Sequence, residues 1–127
     1  MKTILVDAID GLILKNGTVF EGMHEMLDKY PNDKIVLTGA NDEQFKEFNL
    51  DKSPYEVFTL KHNPEKTDSE YFKILLKKYN LTPDEVVFFE HNQDAVKSAE
   101  SVGIKSYYYD PEKQDLKALK AFLDENL

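Results

Sequence analysis

The sequence predicts an α/β protein, a three-layer sandwich with helices on both sides of a parallel sheet of about five strands. Short apolar runs alternate along the chain with segments whose apolar residues recur at helical spacing. Continuous apolar runs are typical of strands buried in a parallel sheet, and their alternation with helices is the pattern of repeated βαβ units. Because the 127 residues contain no linker, internal repeat or low-complexity stretch, we expect one domain over residues 1–127.

The composition excludes several classes of function. The net charge of −8, from 24 acidic and 16 basic residues, argues against a general nucleic-acid-binding protein, which needs a basic face. The absence of cysteine excludes disulfides, thiolate catalysis and cysteine metal sites. The sequence shows neither a signal peptide nor an apolar stretch of the roughly 20 residues that a membrane helix needs. We therefore expect a cytoplasmic protein with no nucleic-acid or membrane partner.

The first predicted strand contains residues 4–6 and leads into a β-hairpin. Asn16-Gly17 between apolar residues is a strong signal for a hairpin turn, and it predicts that residues 12–14 pair with residues 19–20. The following residues have their methionines and leucines at helical spacing, which predicts a helix before the second strand.

Four further strands are predicted from the same signals. They are residues 34–38, 55–60, 86–90 and 104–109. Asn41 or Asp42 can cap a short helix after the second strand, and Thr67 stands at capping-box spacing from Glu70 before the next helix. Three consecutive tyrosines in the last run cannot all face one side, so we expect an edge strand with one exposed ring.

Polar side chains follow three of the predicted strands. They are Asp7 and Asp10 after the first strand, Thr38 after the second, and Glu90, His91 and Asp94 after the fourth. The carboxyl ends of parallel strands meet at one edge of the sheet, where such sheets hold their ligands. Lys66 opens a helix between these strands. The backbone N–H groups of Gly39, Ala40 and Asn41 beside the Thr38 hydroxyl predict an anion site.

These stretches together resemble the sequence motifs of the haloacid dehalogenase (HAD) superfamily. Residues 2–12, KTILVDAIDGL, are similar to the first motif, an apolar strand followed by D-x-D-G and an apolar pair. Thr38 is similar to the Ser or Thr of the second motif, and Lys66 in KTDSEYF to the lysine of the third. Glu90-His91 falls on the acidic pair of the fourth motif. The resemblance covers nearly the whole chain and implies the HAD fold.

The resemblance also implies a phosphatase mechanism, with two departures. Family enzymes attack a phosphoryl group with the first Asp of the motif and pass through an aspartyl-phosphate, while Mg²⁺ bridges that carboxylate and the phosphate. Registering Asp10-Gly11 on the motif makes Asp10 the general acid/base and puts Ala8, which has no nucleophilic atom, in the nucleophile's position beside the ligand. His91 replaces an anionic oxygen ligand with an imidazole, which suits Mg²⁺ poorly. Both departures weaken the expectation of Mg²⁺.

Several assignments stay open. Successive strand side chains point to opposite faces, so Asp7 is expected to face away from Asp10 unless a bulge shifts the register and makes Asp7 the nucleophile. Ala8 could instead be an engineered change in an active enzyme. Lys61 competes with Lys66 for the phosphate role, and His62 lies in a loop that could contact ligand.

The metal assignment has alternatives of its own. The candidate metal ligands are the acidic and imidazole side chains after the first and fourth strands: Asp10, Glu90, Asp94 and His91. A set of imidazole and carboxylates suits Zn²⁺ or Mn²⁺ better than Mg²⁺. The plainer alternative is a hydrogen-bonded pair with no metal.

Three functional hypotheses follow. The leading hypothesis is a HAD-like pseudoenzyme, weak or inactive as a phosphatase, that binds a protein partner or a small phosphorylated ligand. Thr38, Lys66 and the amides of residues 39–41 would hold that ligand. The second is an active Mg²⁺-dependent phosphatase with Asp7 as nucleophile, and the third is a small interaction module with a vestigial site. About 30 residues separate the first two motifs, too few for a cap domain, so the site is expected to be open.

Overall fold

The structure is a computed structural model that describes residues 1–127, and its centre is a five-stranded parallel sheet in the order β3-β2-β1-β4-β5. The strands are β1 (Thr3–Asp7), β2 (Lys34–Thr38), β3 (Glu56–Thr59), β4 (Val86–Glu90) and β5 (Lys105–Tyr108). The helices are α1 (Glu21–Asp28), α2 (Asp42–Glu47), α3 (Ser69–Tyr79), α4 (Gln93–Ser101) and α5 (Leu116–Asn126). Short 3-10 turns lie at Leu50–Lys52 and Pro83–Glu85. The α/β prediction is confirmed.

Helices cover both faces of the sheet and give the protein two apolar cores. On one face, α1 and α5 pack on the sheet through side chains such as Met23, Leu27 and Leu119. On the other face, α3 and α4 contribute side chains such as Phe72 and Ala99. Burial of apolar side chains in both layers is the main favourable contribution to folding. None of the helices is both long and apolar enough to cross a membrane.

The central strand β1 divides its side chains between the two cores in strict alternation. Ile4, Val6 and Ala8 belong to the core formed with α1 and α5, whereas Leu5 belongs to the core formed with α3 and α4. Asp7 is the next residue on the Leu5 face because strand side chains alternate with a period of two. The regular register continues to Asp7, which lies opposite Leu37 of β2.

The turn after β1 is wound tightly around the carbonyl group of Asp7. The backbone N–H of Leu12 donates to that carbonyl at 3.0 Å, and Gly11 passes so close that a Cβ there would lie 2.5 Å from the same oxygen. Asp10 has a left-handed backbone with φ of 69°. This conformation, uncommon for a residue other than glycine, bends the chain back over the strand end.

Several predicted elements differ in detail from the structure. The hairpin after β1 is reduced to one antiparallel bridge, Ile13 with Val19. The third and fifth strands are shorter than predicted, and α3 is capped by Asp68, whose side chain accepts from the Glu70 N–H, rather than by Thr67. The edge position of β5 is confirmed, and Tyr108 is its exposed ring.

Candidate active site

Two buried carboxylates and a lysine meet at the carboxyl ends of the central strands. Asp7 ends β1 and Glu90 ends the neighbouring β4, and both side chains are fully buried. The Lys66 ammonium donates to Asp7 Oδ1 at 3.0 Å and to Glu90 Oε1 at 2.7 Å. It also donates to the carbonyl of Leu37 near the end of β2, at 3.2 Å. One lysine before α3 therefore joins the ends of three strands.

His91 completes this group from the residue after β4. Its Nδ1 lies 2.5 Å from Asp7 Oδ2 and 3.2 Å from Glu90 Oε2, and its backbone N–H donates to Asp7 Oδ2 at 3.0 Å. The Asn92 N–H donates to Glu90 Oε2 at 3.1 Å. We call Asp7, Lys66, Glu90 and His91 the Asp7 cluster. Every carboxylate oxygen in the Asp7 cluster accepts at least one hydrogen bond.

The charges of the Asp7 cluster support one another. The hydrogen bond with Asp7 raises the pKa of His91 to about 10, so the imidazole is protonated at neutral pH. Burial opposes the charge of Lys66, but the carboxylates of Asp7 and Glu90 raise its pKa above the usual range. Burial likewise opposes the charge of Asp7, and the Lys66 ammonium holds the pKa of that carboxyl below its usual value. Two carboxylates thus face an ammonium and an imidazolium.

Asp10 lies at the periphery of the Asp7 cluster. Its Oδ2 is 3.9 Å from Nε2 of His91 and 3.8 Å from the Lys15 ammonium, beyond hydrogen-bond distance in both cases. One imidazole therefore spans the two aspartates, with Nδ1 toward Asp7 and Nε2 toward Asp10. Asp10 is partly exposed, which suits a group that meets an incoming ligand.

The expected positions of Asp7 and Ala8 were wrong. Asp7 shares its site with Lys66 and His91 instead of facing away, and no bulge in β1 is needed, because the regular alternation already directs Asp7 to that face. Ala8 packs in the apolar core and is 1% exposed, so it does not line a ligand site. The error came from aligning the sequence by Asp10-Gly11, since the turn here contains one more residue than D-x-D-G.

The predicted anion site after β2 is largely occupied by the protein itself. The Ala40 N–H donates to Thr38 Oγ1 at 3.1 Å, and the Asn41 N–H donates to Gln44 Oε1 at 3.0 Å. Asn41 caps α2 as predicted, in a capping box with Gln44. Among the three amides, only the Gly39 N–H lacks such a bond. The prediction that all three amides are available to a ligand was therefore wrong.

A small open cavity lies beside Thr38. It has a volume of about 180 Å³ and is lined by Ile9, Thr38, Gly39, Ala40, Gln44, Phe48, His62 and Glu65, which we call the Thr38 pocket. His62 contacts Gln44 Oε1 at 2.5 Å and Glu65 Oε1 at 2.7 Å. Lys61 and His62 both have positive φ values, 54° and 65°. Two consecutive strained residues at a cavity are typical of ligand-binding loops.

Gln44, Phe48 and Glu65 line the Thr38 pocket but were not predicted from the sequence. No pattern indicated them, since they come from α2 and from loops whose positions depend on the tertiary fold. Lys61, the competitor of Lys66, instead pairs with Asp42 at 3.1 Å on the surface. Of the two lysines, only Lys66 therefore contacts the carboxylates of Asp7 and Glu90.

The Asp7 cluster does not fit Mg²⁺ as it stands. Asp7, Glu90 and His91 each bring a ligand atom within 4.8 Å of the others. Oxygen ligands suit Mg²⁺, but one of the three is an imidazole, and the carboxylate oxygens are already bonded to N–H donors. Asp94 was expected among the ligands but is exposed and lies outside this group. A cation entering this group would compete with Lys66 and His91 for the carboxylate oxygens.

Comparison with solved structures identifies the fold. The chain is similar to a HAD-family enzyme from Bacteroides thetaiotaomicron, an aspartate-to-alanine variant in complex with magnesium and inorganic phosphate. The TM-score is 0.64 at 15% identity, and the match covers 85% of this chain and 93% of the other. An uncharacterized protein from Corynebacterium glutamicum has a TM-score of 0.65 at 12% identity, with 98% and 96% covered.

A third similar structure is the core domain of a proposed phosphoglycolate phosphatase from Streptococcus pneumoniae. Its TM-score is 0.56 at 19% identity, and the match covers 83% of this chain and 77% of that domain. No protein-family model and no curated protein sequence matches the chain. At these identities the likeness shows the fold alone. The fold is HAD-like, as the sequence motifs implied.

Proposed function

We propose that this protein is a phosphohydrolase in which Asp7 is the nucleophile. The observation that carries the proposal is the ion pair of Lys66 with Asp7, 3.0 Å long, at the end of the central strand of a HAD-like sheet. A carboxylate held by a lysine between the ends of neighbouring strands is equipped both to attack a phosphoryl group and to neutralise its charge. Solved structures with this fold include an enzyme bound to inorganic phosphate.

The proposed reaction has two steps. In the first, an oxygen of Asp7 forms a bond to phosphorus while the ester P–O bond breaks, and the leaving oxygen takes a proton from Asp10. In the second, Asp10 accepts a proton from water as the water oxygen attacks phosphorus. The Asp7–phosphorus bond then breaks and inorganic phosphate leaves. Lys66 and the Nε2–H of His91 stabilise the negative charge on the phosphoryl oxygens in both steps.

The end of the neighbouring strand β2 supplies the remaining contacts with the substrate in this proposal. Thr38 and Gly39 line the Thr38 pocket, and in this proposal the Thr38 hydroxyl and the Gly39 N–H bind the phosphoryl group or the leaving group of a small phosphorylated substrate. The site is proposed to be open, with no cap domain, within the single domain of residues 1–127. Mg²⁺ belongs to the proposal only as a condition to be tested, because the Asp7 cluster does not fit it as it stands.

One observation favours a second candidate, phosphoryl binding with weak or no turnover. The side chain of Asp7 has no exposed surface, and Oδ2 accepts two bonds from His91. An Asp7 oxygen must first give up a hydrogen bond, from Lys66 at Oδ1 or from His91 at Oδ2, before it can attack phosphorus. This cost lowers the rate of phosphoryl transfer, so a protein that is weak or inactive as a phosphatase remains a candidate. The first reason for that hypothesis, a missing nucleophile, no longer applies.

The test is phosphate release from an aryl phosphate, with and without Mg²⁺, by the wild type and three variants. We expect release by the wild type and none by Asp7→Asn or Asp10→Asn. Asp94→Asn is the matched control, because Asp94 lies after the same sheet edge but outside the Asp7 cluster, and it should retain wild-type activity. Equal activity of Asp7→Asn and the wild type would refute the nucleophile assignment. A folded wild type without any release would leave the binding candidate.

A further inference from the structure

We propose that Lys66 and His91 together take the place of a divalent cation in the Asp7 cluster, so that the protein binds a phosphoryl group without metal. The phosphoryl ligand in this inference rests on the proposed function, whereas the replacement of the metal rests on the geometry of the cluster alone. The positive charge of the site then comes from Lys66 and His91, and no metal ion is needed to supply it.

Two cations, Lys66 and His91, bridge the two carboxylates of Asp7 and Glu90. Lys66 contacts Asp7 through Oδ1 and Glu90 through Oε1, at 3.0 and 2.7 Å. His91 contacts the other oxygen of each, Asp7 Oδ2 at 2.5 Å and Glu90 Oε2 at 3.2 Å. Each carboxylate thus gives one oxygen to each cation. A metal ion bridging the pair would need oxygens that both cations already use.

The charges within the Asp7 cluster also oppose a metal ion. The two carboxylates are matched by one ammonium and one imidazolium, and Asp7 and Glu90 are fully buried. A divalent cation added to this set would lie beside two positive groups in a region of low dielectric, where repulsion is strong. Metal binding at the bridging oxygens therefore requires that Lys66 or His91 give up its contacts with the carboxylates.

The second ring nitrogen of His91 is the one that can contact a ligand. Nδ1 is engaged with the carboxylates, the side chain is 30% exposed, and Nε2 lies 3.9 Å from Asp10 Oδ2, so Nε2 is the donor left for a ligand. An imidazolium with one N–H held by carboxylates can offer its other N–H as a positive donor to an anion. This is the role that a bound cation serves for phosphoryl oxygens in metal-dependent sites.

The experiment is a titration with Mn²⁺, followed by its electron paramagnetic resonance signal, with Mg²⁺ as competitor. We expect no saturable binding to the wild type at millimolar concentrations. His91→Asp replaces the imidazolium with a carboxylate and should bind Mn²⁺ about tenfold more tightly or better, because affinity rises with ligand charge. His24→Asp is the control. It makes the same change on α1, far from the cluster in sequence, where His24 pairs with Asp28. It should bind no more tightly than the wild type.

Wild-type binding as tight as that of His91→Asp would overturn the inference. If His91→Asp does not fold, His91→Gln removes the positive charge at similar size, and the wild-type titration alone still decides. A second arm measures the rise in Tm on adding inorganic phosphate. Equal rises with a chelator and with Mg²⁺ support the inference, and a rise that requires Mg²⁺ contradicts it. No rise in either condition would count against phosphoryl binding, hence against the proposed function, while the Mn²⁺ titration stands independently.

Discussion

The Asp7 cluster and the Thr38 pocket lie after neighbouring strands of one sheet, yet they are built in opposite ways. In the Asp7 cluster the carboxylates are fully buried and each of their oxygens has a donor. The Thr38 pocket is open, with half-exposed side chains such as His62 and a volume of about 180 Å³. Changes in the cluster are therefore expected to cost stability, whereas the pocket can change its contacts at little structural cost.

The largest expected effect comes from breaking the cluster at its lysine. Lys66→Met leaves Asp7 and Glu90 buried without their shared ammonium, and loss of one partner of a buried ion pair costs about 3–5 kcal/mol in the free energy of unfolding. Urea unfolding measures this change. Lys61→Met is the matched control, because the pair with Asp42 is exposed, and it should change stability by no more than about 0.5 kcal/mol. Similar losses of stability in Lys66→Met and Lys61→Met would contradict the difference between a buried and an exposed ion pair.

A second comparison uses one glycine from each region. A Cβ on Gly11 would lie 2.5 Å from the Asp7 backbone oxygen, so Gly11→Ala must shift the end of β1, at a cost of about 1–3 kcal/mol. The atoms nearest to a Cβ on Gly39 would be side-chain atoms of His62 and Glu65, at 3.2 and 3.3 Å, which can move aside. Gly39→Ala should therefore cost less. Thermal unfolding of both variants checks the order, and the reverse order would refute it.

The third prediction concerns pH. The pKa of His91 is raised from 6.5 to about 10 on folding. The stability that this group contributes is therefore complete below pH 6.5 and is lost as the pH rises toward 10. The wild type should lose stability over this range, His91→Gln should lose less, and His24→Gln should behave as the wild type. Urea midpoints at several pH values measure the slopes. Parallel wild-type and His91→Gln slopes would show that His91 does not carry the effect.

The smallest effect on stability is expected in the Thr38 pocket. The partners of His62, Gln44 and Glu65, are polar and accessible, so His62→Ala should change the free energy of unfolding by about 0.5 kcal/mol or less. If the pocket receives the leaving group, the same variant should raise KM for a phosphorylated substrate with less change in kcat. A large loss of stability would show that the loop around His62 is structural.

Much of the fold could be predicted because it depends on local patterns. The run VVFFE, apolar and ended by a charge, fixed β4 at residues 86–90, and the order of strands and helices implied the parallel sheet. Asn41 could be identified as a cap because a capping box is a contact between residues three apart. These features need no knowledge of distant residues.

The candidate site was predicted less well because it depends on backbone turns and distant contacts. Asp7 was expected to face away from the site because Asp10-Gly11 was matched to the D-G of the family motif, and the extra residue in this turn cannot be inferred from an Asp-Gly pair alone. The contact of His91 with Asp7 joins residues 84 apart in the sequence. A hydrogen-bonded pair was one of the expectations for His91, but the sequence did not identify Asp7 as its partner. The sequence could show which residues gather at the sheet edge, but not how their charges are shared.

The three contacts of Lys66 make ligand binding compete with the contacts that hold the strand ends together. An ammonium has three protons, and Lys66 donates to Asp7, Glu90 and the Leu37 carbonyl, so its donor capacity is already filled. Any anion that Lys66 binds must therefore take a proton contact from one of three strand ends. A bound anion would then weaken the contacts that hold these strand ends together. The more strongly Lys66 binds the anion, the more weakly it binds the strands.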